Sequence, residues 1–160
     1  LLAARKAVAH WRKRVLNESE HDDWAALGSK VGLNILKKRN VAFSDGRTYP
    51  TAMHCFQAQK ACDSMKAAFE VCALDQALTM GRSCPIDVTA WDANRKKLMT
   101  EILRMQVEQH DDLKDAVRDH GDDYVEDVMK GDLFWSATLP DIWNLLHDEV
   151  TKPKKRPRKE

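Results

Sequence analysis

The sequence predicts an α+β domain, mainly α-helical with short strands, on three observations. Leu98, Ile102 and Met105 recur at core spacing in a long helical stretch over residues 91–110. The short apolar run at 41–43 ends in Ser44-Asp45-Gly46, a turn signal that closes a strand. Pro140 precedes IWNLLHDEV and stands where a proline opens a helix.

The remaining elements follow in order along the chain. Residues 3–16 form a basic amphipathic helix, with Val8, Trp11 and Val15 on one stripe, and the polar NESEHDD linker follows it. A second helical segment is expected over 24–38, then the strand at 41–43. Thr51 caps a helix that begins at AMHCFQ, because a threonine hydroxyl accepts from the free N–H groups of a first turn. Shorter helices are expected over 64–71 and 75–80, and another over 112–119 after the long one. Strands are expected at 125–127 and 133–135.

At 160 residues, with 43% hydrophobic and 32% charged side chains, the chain suits one soluble core with appended ends. The expected division is a basic helix and linker over 1–20, a folded domain over 21–151 and a basic tail over 152–160. No apolar run approaches the length of a membrane span. The formal charge of +1 conceals an asymmetry. Arg5, Lys6, Arg12, Lys13 and Arg14 lie at one end. Lys152, Lys154, Lys155, Arg156, Arg158 and Lys159 lie at the other. Without these, 15 basic residues face 24 acids over residues 17–151.

An acidic body repels phosphates, whereas a KPKKRPRK tail can neutralise several of them without sequence preference. The six basic tail residues are therefore the candidate nucleic-acid contacts. Such tails also serve as nuclear localisation signals or as solubilising ends. The acid-free LLAARKAVAHWRKRVL segment is like what remains around an organellar transit sequence. The expected location is a mitochondrion or another organelle, with nucleus and cytoplasm as alternatives.

Residues 46–60, GRTYPTAMHCFQAQK, are the most informative stretch. They resemble the turn and first core helix of the NADAR (YbiA-like) N-glycosidase family, in which a helix start leads to Glu-His, an aromatic, Gln-Ala and then Lys. Met53 stands at the Glu position. The resemblance continues through Gly81-Arg82, Trp91, Met99, Leu103, Glu108-Gln109-His110, Leu113, Val125-Glu126 and Phe134-Trp135. It covers about two thirds of the chain. It departs after Trp135, where SATLPD replaces a Gly-rich loop, Trp143 stands for a Gly and Val150 for a terminal Arg. Gln106 stands where a Lys is common.

The resemblance implies a YbiA/NADAR-like single domain whose relatives cleave a ribose C1–N bond, in ribosylamino-pyrimidines or ADP-ribosyl adducts. Their oxocarbenium-like transition state needs a neighbouring carboxylate. A thioether has no titratable proton and accepts hydrogen bonds weakly, so Met53 cannot activate water. No catalytic residue is expected. If the chain is active, Lys60, Trp91 and Asp132 are the candidates, with Glu126 and Asp127 as further acids. Lys60 has the alternative of facing a helix C-terminus, Arg82 of following a helix cap and Trp91 of a packing anchor.

Cys55, Cys62, Cys72 and Cys84 include no C-x-x-C pair, and the histidines lack zinc-site spacing, so neither metal nor cofactor is expected. Buried reduced thiols on helix faces are expected, with Cys55, beside the former acid position, as the candidate reactive thiol. Two functions remain. One is a catalytically degenerate NADAR-like domain acting as a structural subunit among the proteins of a large complex, a ribonucleoprotein such as a mitochondrial ribosome, with RNA met through the basic ends. The other is an N-glycosidase of altered specificity.

Overall fold

The computed structural model describes residues 33–121, 129 and 131–152. The basic helix over 3–16, the strand at 125–127 and the tail beyond Lys152 lie outside the described residues. The described chain is mainly helical with one two-stranded sheet. Strands β1 (Val41–Ala42) and β2 (Thr48–Tyr49) precede helices α1 (Ala52–Ala58), α2 (Asp63–Val71), α3 (Leu74–Ser83), α4 (Val88–Gln109), α5 (Asp111–Asp119) and α6 (Leu133–Thr151). No described helix is long and apolar enough to cross a membrane.

The hairpin is antiparallel, with Val41 opposite Tyr49 and Ala42 opposite Thr48. Gly46 sits at φ 80°, a conformation that favours glycine, and its N–H donates to the Phe43 carbonyl. The Asp45 carboxylate accepts from Tyr49 Oη at 2.6 Å, from the Arg47 N–H at 3.0 Å and from Gln59 Nε2 at 3.3 Å. Burial raises its pKa, but those donors outweigh burial and hold it below the ordinary value.

Both edges of this small sheet are covered by side chains. Gln109, at the end of α4, accepts from the Ala42 N–H and donates to the Ala42 carbonyl, each at 2.8 Å. Gln106 Nε2 donates to the Arg39 carbonyl at 2.7 Å, and His110 bonds the Asn40 carbonyl. On the other edge the Thr48 N–H donates to Glu70 of α2. An uncovered edge would be a template for pairing with another chain.

Helix α1 is the centre of the fold. All seven of its residues are buried, and it packs against α2, α3, α4 and β2. Helices α4 and α6 run parallel. Lys96 pairs with Asp141 at 3.0 Å, and Arg104 grips Glu149 with two bonds at 2.9 and 2.8 Å, so both partners advance by eight residues together. These exposed pairs add little stability. The interior around these helices is built from Met99, Ile102 and Leu103 of α4 and Leu139, Ile142 and Leu146 of α6.

Three local expectations are corrected. Residues 33–38 form a turn, because the Asn34 side chain takes the Leu36 N–H at 3.0 Å and offers the backbone an alternative to helix. Residues 133–135 are helical: Asp132 accepts from the Trp135 N–H at 2.9 Å and starts α6 there. Pro140 consequently lies inside that helix.

Two outcomes test this account. Gln109→Ala removes both side-chain bonds to Ala42 and is expected to cost about 1–2 kcal/mol in urea unfolding; an unchanged midpoint contradicts the edge-covering role. Asp45 has a lowered folded pKa, so its contribution is present above its unfolded pKa, about 3.9, and is lost as pH falls through the folded value. Stability should therefore fall more steeply in acid for the wild type than for Asp45→Asn, and equal slopes would refute the linkage.

Candidate functional site

The signature helix is fixed from its first turn. The Met53 N–H donates to the Ile35 carbonyl at 3.0 Å. The Thr51 hydroxyl accepts from the His54 N–H at 3.0 Å and lies 2.7 Å from His54 Nδ1. His54 Nε2 lies 2.9 Å from the Cys72 carbonyl, beyond the end of α2. A carbonyl only accepts, so Nε2 carries the proton and Nδ1 accepts from Thr51. Burial lowers the His54 pKa, against a smaller opposing effect of the Cys72 carbonyl, which favours this neutral form. The histidine of the motif is thus a fastener between α1 and the end of α2.

Met53 has no exposed surface. Its Sδ accepts from Gln57 Nε2 at 3.3 Å, one helical turn on. The Gln57 Oε1 is buried without a hydrogen-bond partner. Gly81 explains how the amide fits: a Cβ there would stand 2.1 Å from Oε1. Gly81 therefore lies within α3 as a close-approach glycine and not at a helix cap. Among the described residues no Asp or Glu is buried, so no carboxylate shares the interior with Met53.

Beside this helix four aromatic rings meet edge to face. Phe56 contacts Trp91 and Trp135, each with centroids 5.0 Å apart, and Trp135 contacts Phe134 at 4.7 Å. The first turns of α4 and α6 converge here on the end of α1. Lys60, just past α1, places Nζ 5.1 Å from the Trp91 ring, and Arg95 lies 3.5 Å from the Phe134 ring. Burial lowers the Lys60 pKa. Attraction to the ring faces offsets part of the cost of removing these cations from water.

Lys60 and Trp91 therefore come together, whereas Asp132 is engaged as the cap of α6. Trp143 is fully buried, but its indole N–H donates to the His120 carbonyl at 3.2 Å. His147 Nδ1 lies 2.8 Å from the Val117 carbonyl, so both side chains close the end of α5. Arg82 is exposed, Val150 packs against the core, and Glu126 and Asp127 lie outside the described residues. Burial pushes the Cys55 thiol well above its ordinary pKa, which removes it as a nucleophile. Among the described residues no three His, Cys, Asp or Glu side chains are grouped as a metal site.

Sequence reasoning missed the joining roles of Phe56 and Arg95. The signals were present: an aromatic three residues after Met53, and a cation one turn after Trp91. Chemically, the cluster offers ring faces and two cations.

Gln57 has an unsatisfied oxygen, so Gln57→Leu is expected to leave stability unchanged or to raise it by about 1 kcal/mol; a loss as large as that of an ordinary buried hydrogen bond would contradict the assignment. Met53→Glu is expected to destabilise by at least about 2 kcal/mol at neutral pH, since burial opposes ionisation and only Gln57 offers a donor. The introduced acid would have a raised folded pKa. Its penalty should grow as pH rises through the unfolded value, about 4.3, and a penalty independent of pH from 4 to 8 would refute the apolar character of the position.

No family model and no curated protein matches the chain. The NMR structure of the E. coli protein YbiA is similar, with a TM-score of 0.60 and 25% identity, over 71% of this chain and 73% of that one. The chain therefore has a NADAR/YbiA-like fold.

Proposed function

We propose that the chain is a catalytically degenerate NADAR-like domain serving as a structural subunit of a large assembly, a ribonucleoprotein such as a mitochondrial ribosome. One observation carries this reading: Met53, at the position of the family's acid, is fully buried and bonded to Gln57. Loss of a group that positions and deprotonates water forfeits about 10² to 10⁴ in rate. Asp132 supplies no ready substitute while it holds the α6 N-terminus.

The basic ends support the assembly half of the proposal. Eleven basic residues lie in 1–16 and 152–159, outside an acidic middle, and such ends bind anionic polymers through counterion release. Lys60 on Trp91 favours a second reading, an N-glycosidase acting on a ribose C1–N bond in ADP-ribosyl or ribosylamino-pyrimidine substrates. In that reading Lys60 and Trp91 bind the substrate and Asp132 replaces the acid.

Sedimentation of the native chain from its own cell extract separates the two. The subunit reading expects it in a fast, RNA-containing particle at low salt, with release as salt rises. Migration as a free monomer at every salt concentration would refute it.

A further inference from the structure

Several cations drawn into this domain answer to carboxylates. Arg39 meets Asp112 at 2.7 Å, Arg47 meets Glu70 at 2.9 Å, Arg104 meets Glu149 at 2.8 Å and Lys66 lies 3.9 Å from Asp45. Lys60 and Arg95, both half-buried, depart from that pattern. Among the described residues no carboxylate pairs with Lys60, which faces the Trp91 ring instead. Arg95 Nε is buried without a hydrogen-bond partner, and Asp92 stays 3.7 Å from it, too far for a hydrogen bond. At 3.5 Å from the ring centroid, the Arg95 guanidinium lies against the face of Phe134.

Arg95 follows Trp91 by one turn of α4, so the two cations belong to one cluster. The acids at the starts of the two helices are committed: Asp87 accepts from the Ala90 N–H at 3.2 Å and Asp132 from the Trp135 N–H at 2.9 Å. A ring face returns only part of the hydration that a cation loses, and an anion would supply more. The offset of 45 residues in the pairs Lys96–Asp141 and Arg104–Glu149 also sets Val88 level with Leu133. These are 61% and 92% exposed, so the rim beside the cluster is apolar.

We propose that this cluster holds an unpaired nucleotide of single-stranded RNA, with its base on the outer face of the Arg95 guanidinium and a phosphate on Lys60. A planar guanidinium lying on a ring continues a stack, and its edge keeps donors for the strand. An acidic peptide or a lipid headgroup brings the anion without the plane, and a duplex keeps its base faces covered. The basic ends neutralise phosphates of any strand, whereas this surface selects unpaired bases. The inference rests on the reading of the domain as a ribonucleoprotein subunit and names the form of RNA that its folded part meets.

Fluorescence anisotropy of the full chain with a labelled oligouridine strand, and separately with a labelled RNA duplex, tests it. Lys60→Gln and Arg95→Gln are each expected to weaken binding of the strand about tenfold and to leave the duplex, held by the basic ends, unchanged. Arg95→Lys keeps the charge without the plane and should also lose affinity for the strand alone, with an unchanged circular dichroism spectrum as the check of folding. Strand affinity unaltered in all three variants, or strand and duplex weakened alike, would overturn the proposal. So would uridine monophosphate that displaces the strand as effectively, nucleotide for nucleotide, as unlabelled oligouridine, which would assign the cluster to a small substrate. Failure here leaves the sedimentation result untouched, because the ends suffice to hold a particle; the two proposals therefore fail separately.

Discussion

A helix with no face toward solvent must find every hydrogen bond inside the protein, and that constraint organises this fold. Helix α1 meets it with Thr51, His54 and the Ile35 carbonyl at its start. His54 then extends the connection to the Cys72 carbonyl, so one neutral imidazole joins the cap of α1 to the end of α2. Full burial of a side chain such as Met53 or Phe56 contributes about 1.5–3 kcal/mol, but only if the polar backbone around it is satisfied. The hairpin, α2, α3 and α4 are arranged around this requirement.

The same constraint separates packing from chemistry in the signature. His54 fastens two helices, Phe56 joins the indoles of two others, and Gly81 makes room for Gln57. Gln109 and His110 hold the edge of β1. Each has a structural use that does not depend on bond cleavage. Met53 differs: it fills space, and the amide beside it is left with a weak acceptor for its N–H and no donor for its oxygen.

Much of the fold was legible because local signals were strong. Thr51 announced its helix through cap chemistry, and the Ser44-Asp45-Gly46 signal marked the end of β1 but not its pairing with β2; of Leu98, Ile102 and Met105 at core spacing in the long helix, Ile102 is fully buried while Leu98 and Met105 are half-buried against the core. The errors arose where one residue type has two local uses. Leu133, Phe134 and Trp135 read together as a strand, yet Asp132 caps a helix there, and the Asn34 side chain holds residues 33–38 in a turn where helix is expected. At the site, the pairing of Lys60 with Trp91 was expected as two separate residues. Their meeting, and the part Phe56 plays in it, depend on contacts across α1, α4 and α6 that no local pattern encodes. Trp143 was read from its position in the motif, whereas its indole N–H answers the open end of α5.

The central claim is that the residue at position 53 leaves the domain unable to activate water beside a ribose. Its most direct test is a single-turnover assay with purified protein in excess over an ADP-ribosylated or ribosylamino substrate, following release of the free base. The account predicts release no faster than in buffer alone. Release well above that background, abolished by Asp132→Asn in a protein that remains folded, would contradict it.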